Sequence, residues 1–528
     1  MNRRDLIKSS LLSAGALASA SSPAQDGVQP DIPAEHIWPH PPEKLNGGRM
    51  PNILWICVDQ QRFDTIQGLN NDVIHTPNLR KLMSESVTLT HAFVQAPVCT
   101  PSRASFLTGR YPHVTGARAL GQRIDPSERL VPRILSDAGY ACGLVGKLHL
   151  SPCSGGRVED RIDDGYSVFD WSHDPSNLWP GHNAWRLWLN DQGVKYPEPP
   201  GAKSESGIQM ALQPAWGVPI DPKYMHSAWC ADKAIQFIRG QRLYNPWFFS
   251  VNTFQPHAPF WPAEEYLRRY RPEDMPAPNY REGELKNKPV YQQLDFKGTS
   301  GGEERISFPK TSELERKKIK AAYYAMIEQL DTEVGRMLQA LEDTGQAENT
   351  IVIYSSDHGE MLGDHGIFEK GPYFYEGLIR VPLIIRWPGK YKAGLRSDAL
   401  VELVDLAPTL LEAAGVVVPE RMQGKSLTPL LTGQTTAHRD SIFCEFFDSL
   451  AIYDPPPMAV CVRTERYKIV HYQKLNTGEL YDLHKDPEES YNLWDDSSAR
   501  PVREQLMHTM VARMVDTVDP IPQRKCAW

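Results

Sequence analysis

The chain has 528 residues, 41% of them hydrophobic and 23% charged, the composition of a globular protein able to bury a large core. Its formal net charge of −8 leaves no global basic field, which excludes nucleic acid as a bulk electrostatic partner. An anionic substrate would have to be met by a local basic pocket, and the length implies more than one domain.

In chain order, Asn2-Arg3-Arg4-Asp5-Leu6-Ile7-Lys8 resembles a twin-arginine export motif. An apolar stretch from Leu11 to Ala20 follows and closes on Ala18-Ser19-Ala20, a small-residue cleavage site. That stretch falls short of the roughly 20 residues that span a bilayer, so no stable membrane span is expected. Residues 1–22 are predicted to be a signal peptide read by the twin-arginine machinery, which sends a folded bacterial protein to the periplasm or beyond. The Pro-rich residues 23–48 are predicted to be a linker.

Asn52-Ile53-Leu54-Trp55-Ile56-Cys57-Val58 is a continuous apolar run ending at Asp59. A central parallel strand reads this way, with function at its carboxyl end. Cys99-Thr100-Pro101-Ser102-Arg103 comes next and runs on to Gly109. Pro101 suits a helix's first turn and Gly109 its end, which would set Cys99 just before a helix N-terminus. Leu144-Val145 leads into Gly146-Lys147-Leu148-His149, and Trp247-Phe248-Phe249-Ser250-Val251 leads towards His257. A helix is expected from about 313 to 343, with Ile319, Tyr323, Ile327, Leu330, Val334, Met337 and Leu341 spaced three and four apart. Thr350-Ile351-Val352-Ile353-Tyr354-Ser355-Ser356 repeats the first run and ends at Asp357-His358. Lys370 and a fourth run, Val381-Pro382-Leu383-Ile384-Ile385, follow.

This alternation predicts an α/β fold, a large mostly parallel sheet sandwiched by helices. After about residue 438 the texture changes to short strands over 458–462, 467–472 and 478–483, then a helix near 501–516. A smaller antiparallel sheet with a terminal helix is expected there, giving domains at 49–438 and 439–528. Residues 172–222 and 280–312 read as insertions; the first carries Trp179, Trp185, Trp188 and Trp216, either core residues or a stacking platform for a sugar. The eight cysteines (57, 99, 142, 153, 230, 444, 461 and 526) form no Cys-x-x-Cys pair, so zinc or redox motifs are not expected.

Cys99-x-Pro101-x-Arg103 followed by Leu107-Thr108-Gly109-Arg110 resembles the signature of type I sulfatases, of the alkaline phosphatase superfamily. The resemblance covers most of residues 50–528 and implies an alkaline-phosphatase-like domain followed by a smaller one. It also implies that a maturation enzyme oxidises Cys99 to formylglycine, whose hydrate attacks sulfur. Asp59-Gln60 and Asp357-His358 match the family's metal pairs, which with residue 99 would hold one divalent cation. Oxygen donors favour calcium or magnesium, and His358 also admits manganese. Many relatives carry Asp where Gln60 stands, which removes one negative charge here. Lys147 would hold the diol and a sulfate oxygen, and His149 would take the diol's second proton. His257 would protonate the leaving oxygen, Lys370 would bind sulfate, and Arg103 would order the diol and the carboxylates. His365 and Arg380 recur in the family's pattern, as supports behind the site or as packing residues.

The implied reaction is hydrolysis of a sulfate monoester, with a sulfated carbohydrate as the expected partner. Phosphonate monoester hydrolases share the formylglycine and a similar Asp-Gln pair but lack the Lys147 and His149 equivalents, so that rival stands on Gln60 alone. A non-catalytic sulfoglycan-binding protein with unmodified Cys99 is the remaining alternative.

Overall fold

The computed structural model describes residues 49–520 except 155, 176–178, 180, 198–213, 242–244 and 301–304. The expected signal peptide, the linker and Cys526 lie outside the described residues.

An eight-stranded sheet forms the centre, in the order Arg396–Ser397, Val87–Leu89, Leu383–Arg386, Thr350–Ser356, Asn52–Val58, Trp247–Thr253, Ala141–Gly146, Val168–Trp171. The five strands from Thr350–Ser356 to Val168–Trp171 are parallel, whereas Leu383–Arg386 runs antiparallel to its neighbours. Alternate residues of the central strand feed two cores. Ile53, Trp55 and Cys57 pack on one side, and Leu54, Ile56 and Val58 on the other. That explains the continuous apolar run, because a strand covered on both faces has no side to leave polar.

The helices Cys99–Thr108, Val131–Asp137 and Leu406–Ala413 cover the first face. His226–Gly240 and Glu313–Asp343 cover the second. The long helix opens on a capping box between Ser312 and Glu315, and all seven residues of its expected apolar stripe are buried in that core. Each large aliphatic side chain so buried contributes about 1.5–3 kcal/mol before the entropy of ordering it.

Two readings change. The run 381–385 is not one strand: Arg380–Val381 joins a three-stranded sheet with Ala92–Phe93 and Val401–Glu402, while Leu383–Arg386 joins the large one. Pro382 stands between them and has no N–H to continue a ladder. Cys99 is the first residue of its helix, not the residue before it, with Val98 as the extended cap and Gly109 closing the helix at φ +69°.

The C-terminal sheet is fully antiparallel: Ser441–Phe447, Met458–Thr464, Tyr467–Tyr472 and Thr477–Asp482. Its first strand was not foreseen. Leu506 and Met510 of the helix Arg500–Asp516 pack on it beside Phe443, Val460 and Ile469. The seven described cysteines are buried free thiols. Trp179 and Trp185 are buried, with Trp185 Nε1 donating to the Tyr224 carbonyl at 3.1 Å, so those two serve the core.

Candidate active site

Register brings the strand ends to one edge. Val58 pairs with both Ser356 and Thr253, and Gly146 pairs with Asn252. Asp59, Asp357 and Lys147 therefore leave the sheet side by side. Gly146 must be glycine: its φ is +98°, and a Cβ there would lie 1.9 Å from the Asn252 carbonyl oxygen. The chain then turns with the Lys147 carbonyl accepting from Asn252 Nδ2 at 2.9 Å and Arg103 NH1 at 2.8 Å.

The groups converge on the Cys99 sulfur, which is 1% exposed. His358 Nε2 and Lys370 Nζ each lie 3.0 Å from Sγ, Asp59 Oδ1 lies at 3.6 Å and Lys147 Nζ at 3.7 Å. Lys370 Nζ also reaches His257 Nε2 at 2.8 Å and Gln60 Oε1 at 3.1 Å. His257 Nδ1 donates to the Ala258 carbonyl at 2.6 Å, which turns Nε2 into the pocket. His358 Nδ1 likewise donates to the Gly359 carbonyl at 2.8 Å and leaves Nε2 facing the sulfur. Arg103 Nε donates to Asp357 Oδ2 at 2.8 Å, while Asp59 Oδ2 accepts from Lys147 Nζ at 2.6 Å. All the residues expected at the site are thus neighbours, with His149 beside Cys99 at the edge.

The electrostatics follow from burial and sign. Burial alone would raise the Cys99 thiol, but Lys147, Lys370 and His358 outweigh it and hold the thiol well below its ordinary value. Asp59 is held below the usual carboxylate range, because Lys147 and Arg103 overcome burial and the Cys99 charge. Asp357 is raised: burial and the Asp59 charge exceed the help from Arg103. Burial and adjacent Lys147 push His149 well below its ordinary value, leaving a neutral ring.

A divalent cation fits this donor set. One atom each from Asp59, Cys99, Asp357 and His358 lies within a common 4.8 Å. Among the described residues, Asp59 Oδ1 has only long neighbours, Cys99 Sγ at 3.6 Å and His358 Nε2 at 3.8 Å. Two buried carboxylates facing one point with an oxygen so poorly partnered are what a hard cation relieves.

Several supporting residues escaped sequence reasoning. Glu360 accepts from Gln60 Nε2 and from the backbone N–H of Leu362. An Asp at position 60 would face this buried carboxylate, so glutamine is matched to Glu360. Glu159 accepts from the backbone N–H groups of His149 and Leu150, and clamps His149 at φ +63°. Arg305, within the second insertion, pairs with Glu369 at 3.0 Å and donates to the Lys370 carbonyl at 3.1 Å. Only Asn252 had a readable signal, as a polar residue at the end of an apolar run. His365 stacks on Tyr375 at 3.8 Å with Nδ1 3.3 Å from Glu284, and Arg380 stacks on Phe63 at 3.8 Å while Nε donates to the Thr90 carbonyl at 2.6 Å.

The profile of the family described as Sulfatase matches residues 51–416. The chain belongs to the sulfatase family. It is a sulfuric ester hydrolase of the alkaline phosphatase superfamily. A second profile, described as N-sulphoglucosamine sulphohydrolase, C-terminal, matches residues 363–516. An arylsulfatase of Clostridium perfringens is 30% identical over 459 residues, covering 84% of this chain and 90% of its own. An N-acetylglucosamine-6-O-sulfatase of Bacteroides thetaiotaomicron is 26% identical over 531 residues, covering 90% and 88%. Among solved structures, a phosphonate monoester hydrolase of Agrobacterium radiobacter superposes with TM-score 0.76 at 27% identity, over 90% of this chain and 100% of its own. This sulfatase and that hydrolase share the scaffold on which the rival chemistry runs.

Proposed function

We propose that this sulfatase is exported and hydrolyses a sulfate monoester on a carbohydrate, using formylglycine made from Cys99. The convergence of His358, Lys370, Lys147 and Asp59 on one buried sulfur carries the reading. The named specificity of the Bacteroides relative supports the carbohydrate. The Arg3-Arg4 motif and the apolar stretch after it support export.

Hydrated formylglycine at residue 99 supplies the oxygen that attacks sulfur. Asp59, Gln60, Asp357 and His358, with residue 99, would hold one divalent cation that lowers the proton affinity of the attacking hydroxyl and draws the sulfate oxygens; calcium suits the oxygens best. Lys147 and Lys370 bind sulfate oxygens from two sides and offset the charge that develops in the transition state. Arg103 orients Asp357 and the backbone at Lys147. With Nδ1–H held by the Ala258 carbonyl, His257 acts as the acid in its doubly protonated form and gives the Nε2 proton to the departing alcohol oxygen. His149, neutral beside Lys147, accepts the proton of the remaining hydroxyl as sulfate leaves and the aldehyde re-forms.

One observation keeps the phosphonate reading in view, the likeness to a phosphonate monoester hydrolase at TM-score 0.76. Lys147 and His149 favour sulfate. Turnover of an aryl sulfate against the matching aryl phosphonate monoester tests the choice. We expect the sulfate to be preferred, and replacement of Lys147 or His149 to abolish that preference. Faster phosphonate turnover, or unchanged sulfate rates in the variants, would overturn the reading.

A further inference from the structure

One wall of the pocket holds a second set of ligating side chains. His149 follows the strand Ala141–Gly146, Cys153 lies four residues on, and His173 follows the strand Val168–Trp171. One ligand atom from each lies within 4.8 Å of the other two. His149 is 8% and Cys153 6% exposed. His149 Nδ1 and His173 Nε2 are both buried without a hydrogen-bond partner among the described residues.

The surroundings are those of a metal ligand set. His173 Nδ1 stands 3.0 Å from Asp174 Oδ2, so its N–H donates there and Nε2 keeps a free lone pair. A carboxylate behind the ring is how metal-binding histidines are fixed. Trp171 and Trp179 pack around Cys153 and keep the wall apolar. The two imidazoles meet edge to face at 4.8 Å. Two nitrogens and a sulfur select a soft or borderline ion such as zinc, not calcium. Ligand atoms of a tetrahedral zinc site stand roughly 3.3–3.8 Å apart, a spacing that small side-chain rotations reach from here.

We propose that His149 Nδ1, Cys153 Sγ and His173 Nε2 form an inhibitory site for one thiophilic divalent ion, separate from the cation site at Asp59 and Asp357. On binding, the Cys153 thiol releases its proton to solvent and the thiolate bonds the ion, with water completing the fourth position. The ion occupies the Nδ1 lone pair of His149. The ring's one proton then sits on Nε2, and the ring no longer accepts another. This consequence rests on the role proposed for His149, whereas the binding does not.

The test is titration of the matured enzyme with zinc chloride in saturating calcium, read by calorimetry and by aryl sulfate turnover. One zinc per chain is expected, with turnover falling as it binds. Cys153→Ser is expected to keep its zinc-free turnover and to weaken zinc binding at least about tenfold, with His173→Asn weakening binding alike. Unchanged zinc affinity in both variants, or zinc that calcium displaces, would overturn the proposal. A zinc-soaked crystal of the unaltered protein gives a readout that needs no variant. An anomalous peak between the three atoms supports the site, and a peak only between Asp59 and Asp357 contradicts it. Zinc held at these residues with turnover untouched would overturn the inhibition and locate the failure in the role of His149.

Discussion

Two clusters of buried charge in this sulfatase are built from the same residue types and differ in where they point. At the junction with the C-terminal sheet, Glu402 accepts from Tyr111, Arg513 and the Phe443 N–H, and pairs with Arg439 at 3.2 Å. Asp405 accepts from Arg439, His438 and the N–H groups of Glu402 and Lys425. Each of the four carboxylate oxygens has at least two donors, so every acceptor of this cluster is satisfied. In the pocket, Asp59 Oδ1 has only long neighbours, and Arg103 NH2 finds no hydrogen bond among the described residues. Asp59 Oδ2 pairs with Lys147 at 2.6 Å and Asp357 Oδ2 with Arg103 at 2.8 Å, but Asp59 Oδ1 is left facing residue 99. Buried charge that satisfies itself holds a fold together, and buried charge left facing a point awaits a ligand.

Substitutions separate the two. The largest effect is expected from Cys99→Ala, which should lower turnover by a factor on the order of 10⁵–10⁶ while leaving the unfolding midpoint nearly in place. His257→Asn should lower turnover of a poor-leaving-group alkyl sulfate by about 10²–10⁴ and that of an activated aryl sulfate far less; equal losses would deny it the acid role. Lys147→Met should lower kcat by about 10²–10³, measured beside a melting curve. Arg439→Met should invert that pattern. It leaves Asp405 and Glu402 buried with a partner gone, at a cost of about 3–5 kcal/mol in denaturant unfolding, with kcat unchanged in the folded fraction.

The smallest effect is a pH dependence. Arg439 and His438 overcome burial and hold Asp405 below the usual carboxylate range. A depressed folded pKa contributes stability that is full above the unfolded value near 3.8 and is lost as pH falls through the folded one. Asp405→Asn should therefore flatten the stability curve below about pH 4; an unaltered acid limb would contradict the assignment.

Which parts the sequence could disclose follows the same division. Strands covered on both faces are legible as unbroken apolar runs, and Asp59 and Asp357 after two of them mark the functional edge. The stripe of the helix Glu313–Asp343 is legible because its period is written in neighbouring residues. Pro382 misled because the apolar run continues through it, although the ladder cannot. Glu360, Glu159 and Arg305 were hidden for another reason. Each acts through a partner that only folding brings close: Arg305 reaches Glu369 and Lys370 across more than 60 positions. Of the insertion tryptophans, Trp185 is core because its indole N–H finds a carbonyl 39 residues away, which spacing alone does not announce.

The central claim is that residue 99 works as an aldehyde and that the charges around it serve that group. Mass spectrometry of the peptide carrying residue 99, from enzyme co-produced with a formylglycine-generating activity and assayed on the same sample, tests it most directly. The account predicts formylglycine at position 99 in a fraction that rises and falls with specific activity. Full activity with an unmodified Cys99 thiol would contradict it.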